Sequence, residues 1–373
     1  MDKNNGAIYD ARKLGKPKMI ILGVQHMFAM FGATILVPIL TGLDISTTLL
    51  MAGLGTLLFH CITKFKVPAF LGSSFAFLGG YAAIKAFSPN DPNSMLPYAC
   101  LGVACAGLIY FILAAVIKAV GIEKVMRFFP PVVTGPIIIA IGLGLAPSAV
   151  SNCTTNWFLA VVALAVIVVF NIWGKGMAKI IPIILGLLIS YGTGLVLYFI
   201  SQANPDLIQN VPWLFSGGAD ANGVYQPIFD FTSLNTICDN ISKGHIFGSE
   251  GLIGIPIHWD QTVFGGIDYS NGALIASSII AIVPIAFATM MEHIGDICAI
   301  SSTTGNNYIK DPGLHRTLVG DGLATTLASL FGGPANTTYG ENTGVLALTR
   351  VYDPRVIRIA AYFAVAVSFF PIV

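Results

Sequence analysis

Pro334-Ala-Asn-Thr-Thr-Tyr-Gly-Glu-Asn-Thr-Gly344 opens a short apolar segment with small and polar residues, and Pro68-Ala-Phe-Leu-Gly-Ser-Ser-Phe-Ala-Phe-Leu-Gly-Gly80 does the same earlier in the chain. Each begins with Pro-Ala, and each is the third apolar segment of its half. Interrupted segments at matching positions indicate a transporter built from an inverted repeat, with a short extended stretch before each half-helix. Extended backbone at membrane depth is tolerated only beside a protein-walled cavity. The pattern therefore predicts a binding site where the two breaks meet.

The composition around these breaks is that of a membrane protein. Of the 373 residues, 55% are hydrophobic and only 10% are charged, against about 25% charged residues in soluble chains. A hydrocarbon core of ~30 Å takes about 20 apolar residues per helix, so the sequence predicts an all-α polytopic protein. The predicted spans are 19–41, 47–63, 68–86, 95–117, 128–148, 156–173, 179–200, 272–298, 317–333, 335–350 and 356–373. The net charge of +1 does not indicate a nucleic acid as partner.

The basic residues predict the orientation of these spans. With the N-terminus in the cytoplasm, all of the 19 Lys and Arg residues except Lys85 and Lys243 fall on the cytoplasmic side, as positively charged loops prefer. Seven spans precede the long segment 201–270, and this odd number inverts the second half relative to the first. That segment contains seven acidic residues and is predicted to be an extracellular loop.

Three acidic side chains lie inside predicted spans. Glu292 and Asp296 are four residues apart in the eighth span, and Glu341 follows Gly340 at the second break. A carboxylate near the bilayer centre costs roughly 3 kcal/mol on insertion scales, so these acids are candidates for binding a polar ligand or a proton. Glu292 and Asp296 share one helix face and resist ionising together, which suits a proton carrier. The structural alternatives are that Glu292 and Asp296 only fix helix packing and that Glu341 caps the half-helix, although Asn342 is the expected cap.

Other polar residues in the spans carry predictions of their own. His26 in the first span is a candidate hydrogen-bond partner for an acid of the eighth span, with a packing role as the alternative. His293 points about 100° away from Glu292 on the helix and is expected to be structural. Asp321, near the start of the ninth span, is predicted to cap that helix at the membrane interface, without a role in transport. The six cysteines show no metal-ligand spacing, so no metal or cofactor is predicted.

These segments resemble the nucleobase–cation symporter 2 family, also called the nucleobase–ascorbate transporters. Glu341-Asn-Thr-Gly-Val-Leu-Ala-Leu-Thr-Arg350 is similar to the family signature Gln/Glu/Pro-Asn-x-Gly-x4-Thr, and its acidic first residue resembles the uracil branch more than the xanthine branch. Gln25-His-Met-Phe-Ala-Met-Phe-Gly-Ala-Thr34, Asp311-Pro-Gly-Leu-His-Arg316 and the two break segments also resemble the uracil branch. The main unmatched part is the loop 201–270.

The resemblance implies two inverted seven-helix repeats, divided into a core domain and a gate domain. The implied parts are a cytoplasmic N-terminus at 1–18, the core at 19–120 and 271–373, the gate at 121–200 and the extracellular loop at 201–270. Family members have fourteen spans, so this chain, with 7+4 spans, is expected to stop within the eleventh. The resemblance also implies a homodimer in the cytoplasmic membrane that performs proton-coupled uracil symport.

The implied substrate site joins the two breaks. Glu292 and Glu341 would hydrogen-bond the pyrimidine. The backbone at Phe75 and Gly340 would contact its remaining edge, and Ala33 and Tyr339 would form the walls of the site. Proton coupling is assigned to Glu292, Asp296 and His26.

Three alternatives stay open at this point. The cargo alternative is xanthine or another purine, because the position of Asp296 is His in the best-known uracil transporters of the family and commonly Asp elsewhere. Sodium is the alternative coupling ion. An anion exchanger or channel of similar fold would favour basic residues at the breaks, and the sequence has none there. An intramembrane enzyme is disfavoured, because the chain lacks His-Glu-x-x-His and Gly-x-Ser-x-Gly motifs.

Overall fold

The computed structural model describes residues 7–121, 149–175, 182–220, 222–232 and 253–370, with isolated positions between these ranges. The chain divides into two compact units, a larger one formed by Met1–Ile138 with Ile246–Val373 and a smaller one formed by Ile139–His245. The two units are described separately below.

The described part is mostly helical. In chain order the long helices are α1 Lys16–Thr41, α2 Ile45–Ile62, α3 Leu78–Lys85, α4 Leu96–Val120, α5 Trp157–Trp173, α6 Pro182–Ala203, α7 Gly272–Ile282, α8 Ala286–Thr304, α9 Leu314–Leu330, α10 Gly340–Thr349 and α11 Pro354–Val367. The strands are β1 Leu71–Ser73, β2 Ser216–Ala219, β3 Tyr225–Pro227 and β4 Asn336–Thr338. Short helical turns cover Ala11–Leu14, Phe75–Phe77, Pro92–Met95, Asp206–Asn210, Pro212–Phe215, Trp259–Gln261, Val263–Gly266, Val283–Ile285 and Ile309–Gly313.

Within these described ranges, five helical stretches are long and apolar enough to cross a bilayer: Lys16–Thr41, Ile45–Ile62, Pro92–Val120, Leu185–Ala203 and Gly272–Thr304. The prediction of an all-α polytopic protein is confirmed. Most predicted spans agree with a helix to within a few residues. The predicted span 128–148 lies largely outside the described residues.

Local chemistry explains where several helices begin and end. The Asp44 carboxylate accepts a hydrogen bond from the Thr47 N–H at 2.6 Å and caps the start of α2. Helix α1 ends at Gly42, whose φ of 84° suits a residue without a Cβ. Pro284 lies in the short turn between α7 and α8 and cannot donate a backbone hydrogen bond. The predicted span 272–298 is therefore two helices in series.

Helices α4 and α9 pack closely at the centre of the larger unit. A Cβ on Gly107 would lie 2.7 Å from the Gly322 carbonyl oxygen, so only glycine allows the two backbones to approach this far. Tyr110 and Phe59 are fully buried around this contact. On the outside, Ile112 of α4 and Ile280 of α7 are exposed, as expected of side chains that face lipid.

The smaller unit contains α5, α6 and the β2–β3 hairpin. Helix α6 contributes Tyr198 to an aromatic cluster in which the rings of Phe229 and Phe231 lie 5.7 Å apart. This unit combines part of the predicted gate at 121–200 with part of the predicted loop at 201–270. The division into core, gate and extracellular loop stays a prediction.

Candidate functional site

The two breaks predicted from the sequence meet in the larger unit. Strand β1 pairs antiparallel with β4, with Leu71 opposite Thr338 and Ser73 opposite Asn336. All six residues of the two strands are buried. The Ser74 N–H donates to the Ala335 carbonyl at 2.8 Å and extends the pairing beyond the strands. The short sheet thus satisfies backbone groups that a helix break would otherwise leave free in an apolar interior.

Neighbouring helices hold this strand crossing through side chains. Asn336 donates from Nδ2 to the Met51 carbonyl of α2 at 2.7 Å, and the Thr325 hydroxyl of α9 donates to the Asn336 carbonyl. The Thr56 hydroxyl of α2 accepts from the Leu71 N–H at 2.9 Å. A half-helix follows each strand: the turn Phe75–Phe77 leads into α3 after β1, and α10 follows β4.

The first turn of α10 lies beside the acids of α8. A Cβ on Gly340 would lie 3.8 Å from Asp296 Oδ1, so the carboxyl group of Asp296 is next to the N-terminus of the half-helix. Asp296 is half-buried, and its Oδ2 accepts from the Thr338 hydroxyl at 2.8 Å. Glu292, one turn earlier and also half-buried, lies within electrostatic range of Asp296, Asp321 and Glu341. The predicted gathering of these acids around the second break is therefore present in the fold.

The remaining predicted contact residues lie at different depths. Glu341 and Gly340 are exposed at the start of α10, while Phe75 and Ala33 are half-buried. Tyr339 is buried, and its hydroxyl donates to the Ser73 carbonyl at 2.8 Å.

His26 and Asn342 contact each other, which agrees with the packing alternative for His26 and differs from the capping role expected of Asn342. His26 is buried on α1, and among the described residues its hydrogen-bond partner is Asn342 rather than an acid. Its Nδ1 lies 3.1 Å from Asn342 Nδ2, which also donates to the His26 carbonyl at 3.1 Å. No side chain caps α10 at its N-terminus, so the expectation that Asn342 is the cap was wrong. The reason is that Asn342 lies inside the first turn of α10, where its amide faces α1.

Removing this contact is expected to lower stability. In Asn342→Ala, the imidazole and the carbonyl of His26 lose their donor inside the protein, which costs about 1–3 kcal/mol. The measurement is the thermal unfolding midpoint of the purified protein in detergent. Asn93→Ala, at an exposed turn, is the matched control. Equal midpoints for the two variants would contradict the assigned role of the contact.

The predicted surroundings of Asp321 were wrong. It was predicted to lie at the membrane interface, but its side chain is 0% exposed. Its Oδ2 lies 3.4 Å from His293 Nδ1 and accepts from the Thr337 hydroxyl at 3.1 Å. Helix α9 begins at Leu314 rather than at 317, so Asp321 lies two turns inside the helix. His293, expected to be structural, is buried within this polar contact.

Thr338 is a positioning residue next to the site that sequence reasoning missed. It connects Asp296 to His293, whose Nδ1 lies 3.3 Å from the Thr338 hydroxyl. A threonine in a small polar run has no distinctive pattern, so only the pairing of β1 with β4 reveals that it faces α8.

Comparison of the sequence with known proteins identifies a family. A model of a permease family matches residues 17–373. The chain is 39% identical to "Uracil permease" of Bacillus caldolyticus over 361 residues, which is 94% of this chain and 71% of that protein. It is 37% identical to "Probable uracil permease" of Haemophilus influenzae, over 96% of this chain and 75% of that protein.

The chain belongs to this permease family. The permease is therefore a multi-pass membrane transporter and not an enzyme. A third relative, "Putative pyrimidine permease RutG" of Escherichia coli, is 34% identical over 98% of the permease and 73% of that protein. Among solved structures, the transmembrane domain of a cyanobacterium bicarbonate transporter, BicA, matches with a TM-score of 0.60 at 14% identity, over 97% of the permease and 83% of that chain. At this identity the match supports the fold alone.

Proposed function

We propose that this permease is a secondary active transporter that carries uracil across the cytoplasmic membrane together with protons. The observation that carries the proposal is the group formed by Glu292, Asp296 and Glu341 beside the paired strands β1 and β4. The similarity to relatives named as uracil permeases supports the choice of cargo.

The site has the groups that a pyrimidine needs. Uracil is planar and neutral, with N–H donors and carbonyl acceptors along its edge. Glu292 and Glu341 supply carboxylate acceptors for the N–H groups, because charged acceptors form the stronger hydrogen bonds. The first turn of α10 at Gly340 and the turn at Phe75 leave backbone N–H groups without an intrahelical acceptor, and these suit the carbonyl groups. Ala33 and Tyr339 complete the proposed walls.

Proton coupling follows from the charge of the cargo. Uracil is neutral, so the membrane potential alone does not concentrate it, and accumulation requires a coupled ion. Carboxyl groups that lie together in a low-dielectric site do not all ionise together, so Glu292 and Asp296 are suited to exchange protons with water. We assign His26 a supporting role in proton coupling, because its contact with Asn342 connects α1 to the first turn of α10.

The proposed movement is a rocking or elevator displacement of the core, 19–120 with 271–373, against the gate at 121–200. The division of the chain into two compact units supports this assignment. The family resemblance supports a homodimer with the N-terminus in the cytoplasm.

The test is uptake of labelled uracil into proteoliposomes that contain the purified permease. We expect accumulation with an acidic exterior, loss of accumulation when a protonophore collapses the gradient, and no accumulation with a sodium gradient alone. Dependence on sodium with indifference to pH would contradict proton coupling. Competition by unlabelled xanthine that exceeds competition by unlabelled uracil would contradict the choice of cargo.

A further inference from the structure

A continuous polar path leads from the proposed site into the fully buried interior. Asp296 accepts from the Thr338 hydroxyl at 2.8 Å, the same hydroxyl lies 3.3 Å from His293 Nδ1, and that nitrogen lies 3.4 Å from Asp321 Oδ2. Thr337 donates to the far end of the path, at Asp321 Oδ2. The path connects α8, β4 and α9. Thr338 joins the half-buried Asp296 to the fully buried His293 and Asp321.

The surroundings of the path are well defined. His293 and Asp321 have fully buried side chains, and the His293 ring packs edge-on to Phe59 with centroids 6.3 Å apart. In the part of the chain that the structure describes, His293 Nε2 and Asp321 Oδ1 are buried without a hydrogen-bond partner. A hydrogen on His293 Nε2 would therefore be unpaired, so the imidazole hydrogen is placed on Nδ1, between Thr338 and Asp321.

Other titratable groups lie near this path on three helices. Glu292 lies on α8 itself, Glu341 on α10, and the Tyr110 hydroxyl approaches Asp321 from α4. The two glutamates face the proposed substrate, whereas Thr338 and His293 lie behind Asp296. The path is thus connected to the proposed site through Asp296.

We infer that Thr338 is a positioning residue that transmits the protonation state of Asp296 to the buried His293–Asp321 pair; the inference rests on the proposed proton coupling. A threonine hydroxyl has a single hydrogen. When Asp296 is ionised, this hydrogen is donated to Asp296, and the hydroxyl oxygen accepts from His293 Nδ1–H. When Asp296 holds a proton on Oδ2, the carboxyl O–H becomes the donor to the Thr338 oxygen, and the Thr338 hydroxyl hydrogen turns away from Asp296. The Thr338 oxygen then becomes a weaker acceptor, and the His293 Nδ1–H turns toward Asp321 Oδ2, 3.4 Å away; no proton leaves the imidazole.

The consequence is a mechanical link between proton binding and the half-helix. A change at His293 alters the partner available to Asp321 on α9, which also holds Thr337 of β4. Strand β4 leads directly into α10, which carries Glu341. Proton binding at Asp296 therefore changes the support of the segment that presents Glu341 to the substrate.

Thr338→Val, Thr338→Ser and Thr41→Val test this inference. Valine keeps the shape of threonine in an extended segment but removes the hydroxyl, and serine restores it. Thr41 is a buried control whose hydroxyl bonds to the carbonyls of Val37 and Pro38 in its own helix. Each variant of the full chain is reconstituted, and uracil–uracil exchange is compared with accumulation driven by a pH gradient. Exchange measures binding and movement of the loaded carrier, whereas accumulation also requires coupling.

We expect Thr338→Val to retain exchange within about threefold while gradient-driven accumulation falls by about tenfold, the order expected for one lost hydrogen bond to a charged group. Thr338→Ser should restore accumulation, and Thr41→Val should match the wild type. Equal losses of exchange and accumulation, or no difference between Thr338→Val and Thr41→Val, would overturn the role of Thr338 alone. A wild-type protein indifferent to the pH gradient would overturn proton coupling, and this inference with it.

Discussion

Glu292→Gln is expected to abolish uracil accumulation driven by a pH gradient, with a fall of at least about a hundredfold, since hydrogen bonds to charged groups contribute about 1.5–3 kcal/mol each. The amide keeps the size of the glutamate but cannot exchange a proton. It also offers one acceptor oxygen and one NH2 donor where the carboxylate offers two acceptors, so a uracil N–H loses an acceptor or meets a donor in a half-buried site. Both binding and coupling are therefore lost. The measurements are uptake into proteoliposomes and calorimetric titration with uracil.

Two further Glu→Gln variants make this prediction specific. Glu341→Gln should weaken uracil binding by about tenfold or more, because Glu341 is the second proposed acceptor. Glu123→Gln makes the same chemical change at an exposed position and should behave like the wild type. Wild-type affinity for uracil in both Glu292→Gln and Glu341→Gln would remove the proposed site altogether.

The sequence predicted the breaks because their chemistry is local. Pro-Ala followed by small polar residues disfavours a continuous helix, and β1 and β4 occur where this pattern occurs. The carboxyl groups of Glu292 and Asp296 could also be placed, because their spacing of four residues sets them on one helix face. The pairing of Leu71 with Thr338 could not be derived, because it joins residues from opposite halves and depends on how α2 and α9 hold the strands.

The buried polar path was beyond sequence reasoning for a related reason. Asp321 was placed at the interface because the apolar pattern of α9 is weak at its start, and α9 begins three residues before the predicted span. Its partner His293 lies on α8, so the burial of both depends on helix packing rather than on local pattern. Asn342 shows the same limitation: in isolation its type favours a helix cap, but a tertiary contact with His26 determines its role.

Gly72→Ala should destabilise the strand crossing and weaken uracil binding at once. A Cβ at this position would lie 2.6 Å from Cε2 and Cζ of the Tyr339 ring and 2.9 Å from the Thr34 hydroxyl. The ring is held in place, since the Tyr339 hydroxyl donates to the Ser73 carbonyl at 2.8 Å. Either this hydrogen bond or the pairing of β1 with β4 must break to make room for the methyl group. Overpacking of this kind costs about 1–3 kcal/mol.

The loss of affinity in Gly72→Ala distinguishes this site from an ordinary packed interior. Tyr339 immediately precedes Gly340, so a displaced ring also displaces the first turn of α10 and with it Glu341. The matched control is Gly192→Ala in α6, where a Cβ meets no atom within 4 Å and alanine favours the helix by up to about 1 kcal/mol. We therefore expect a lower unfolding midpoint and weaker calorimetric binding of uracil in Gly72→Ala only. A variant that loses stability but keeps full affinity would show that the strand crossing supports the fold without positioning the substrate contacts.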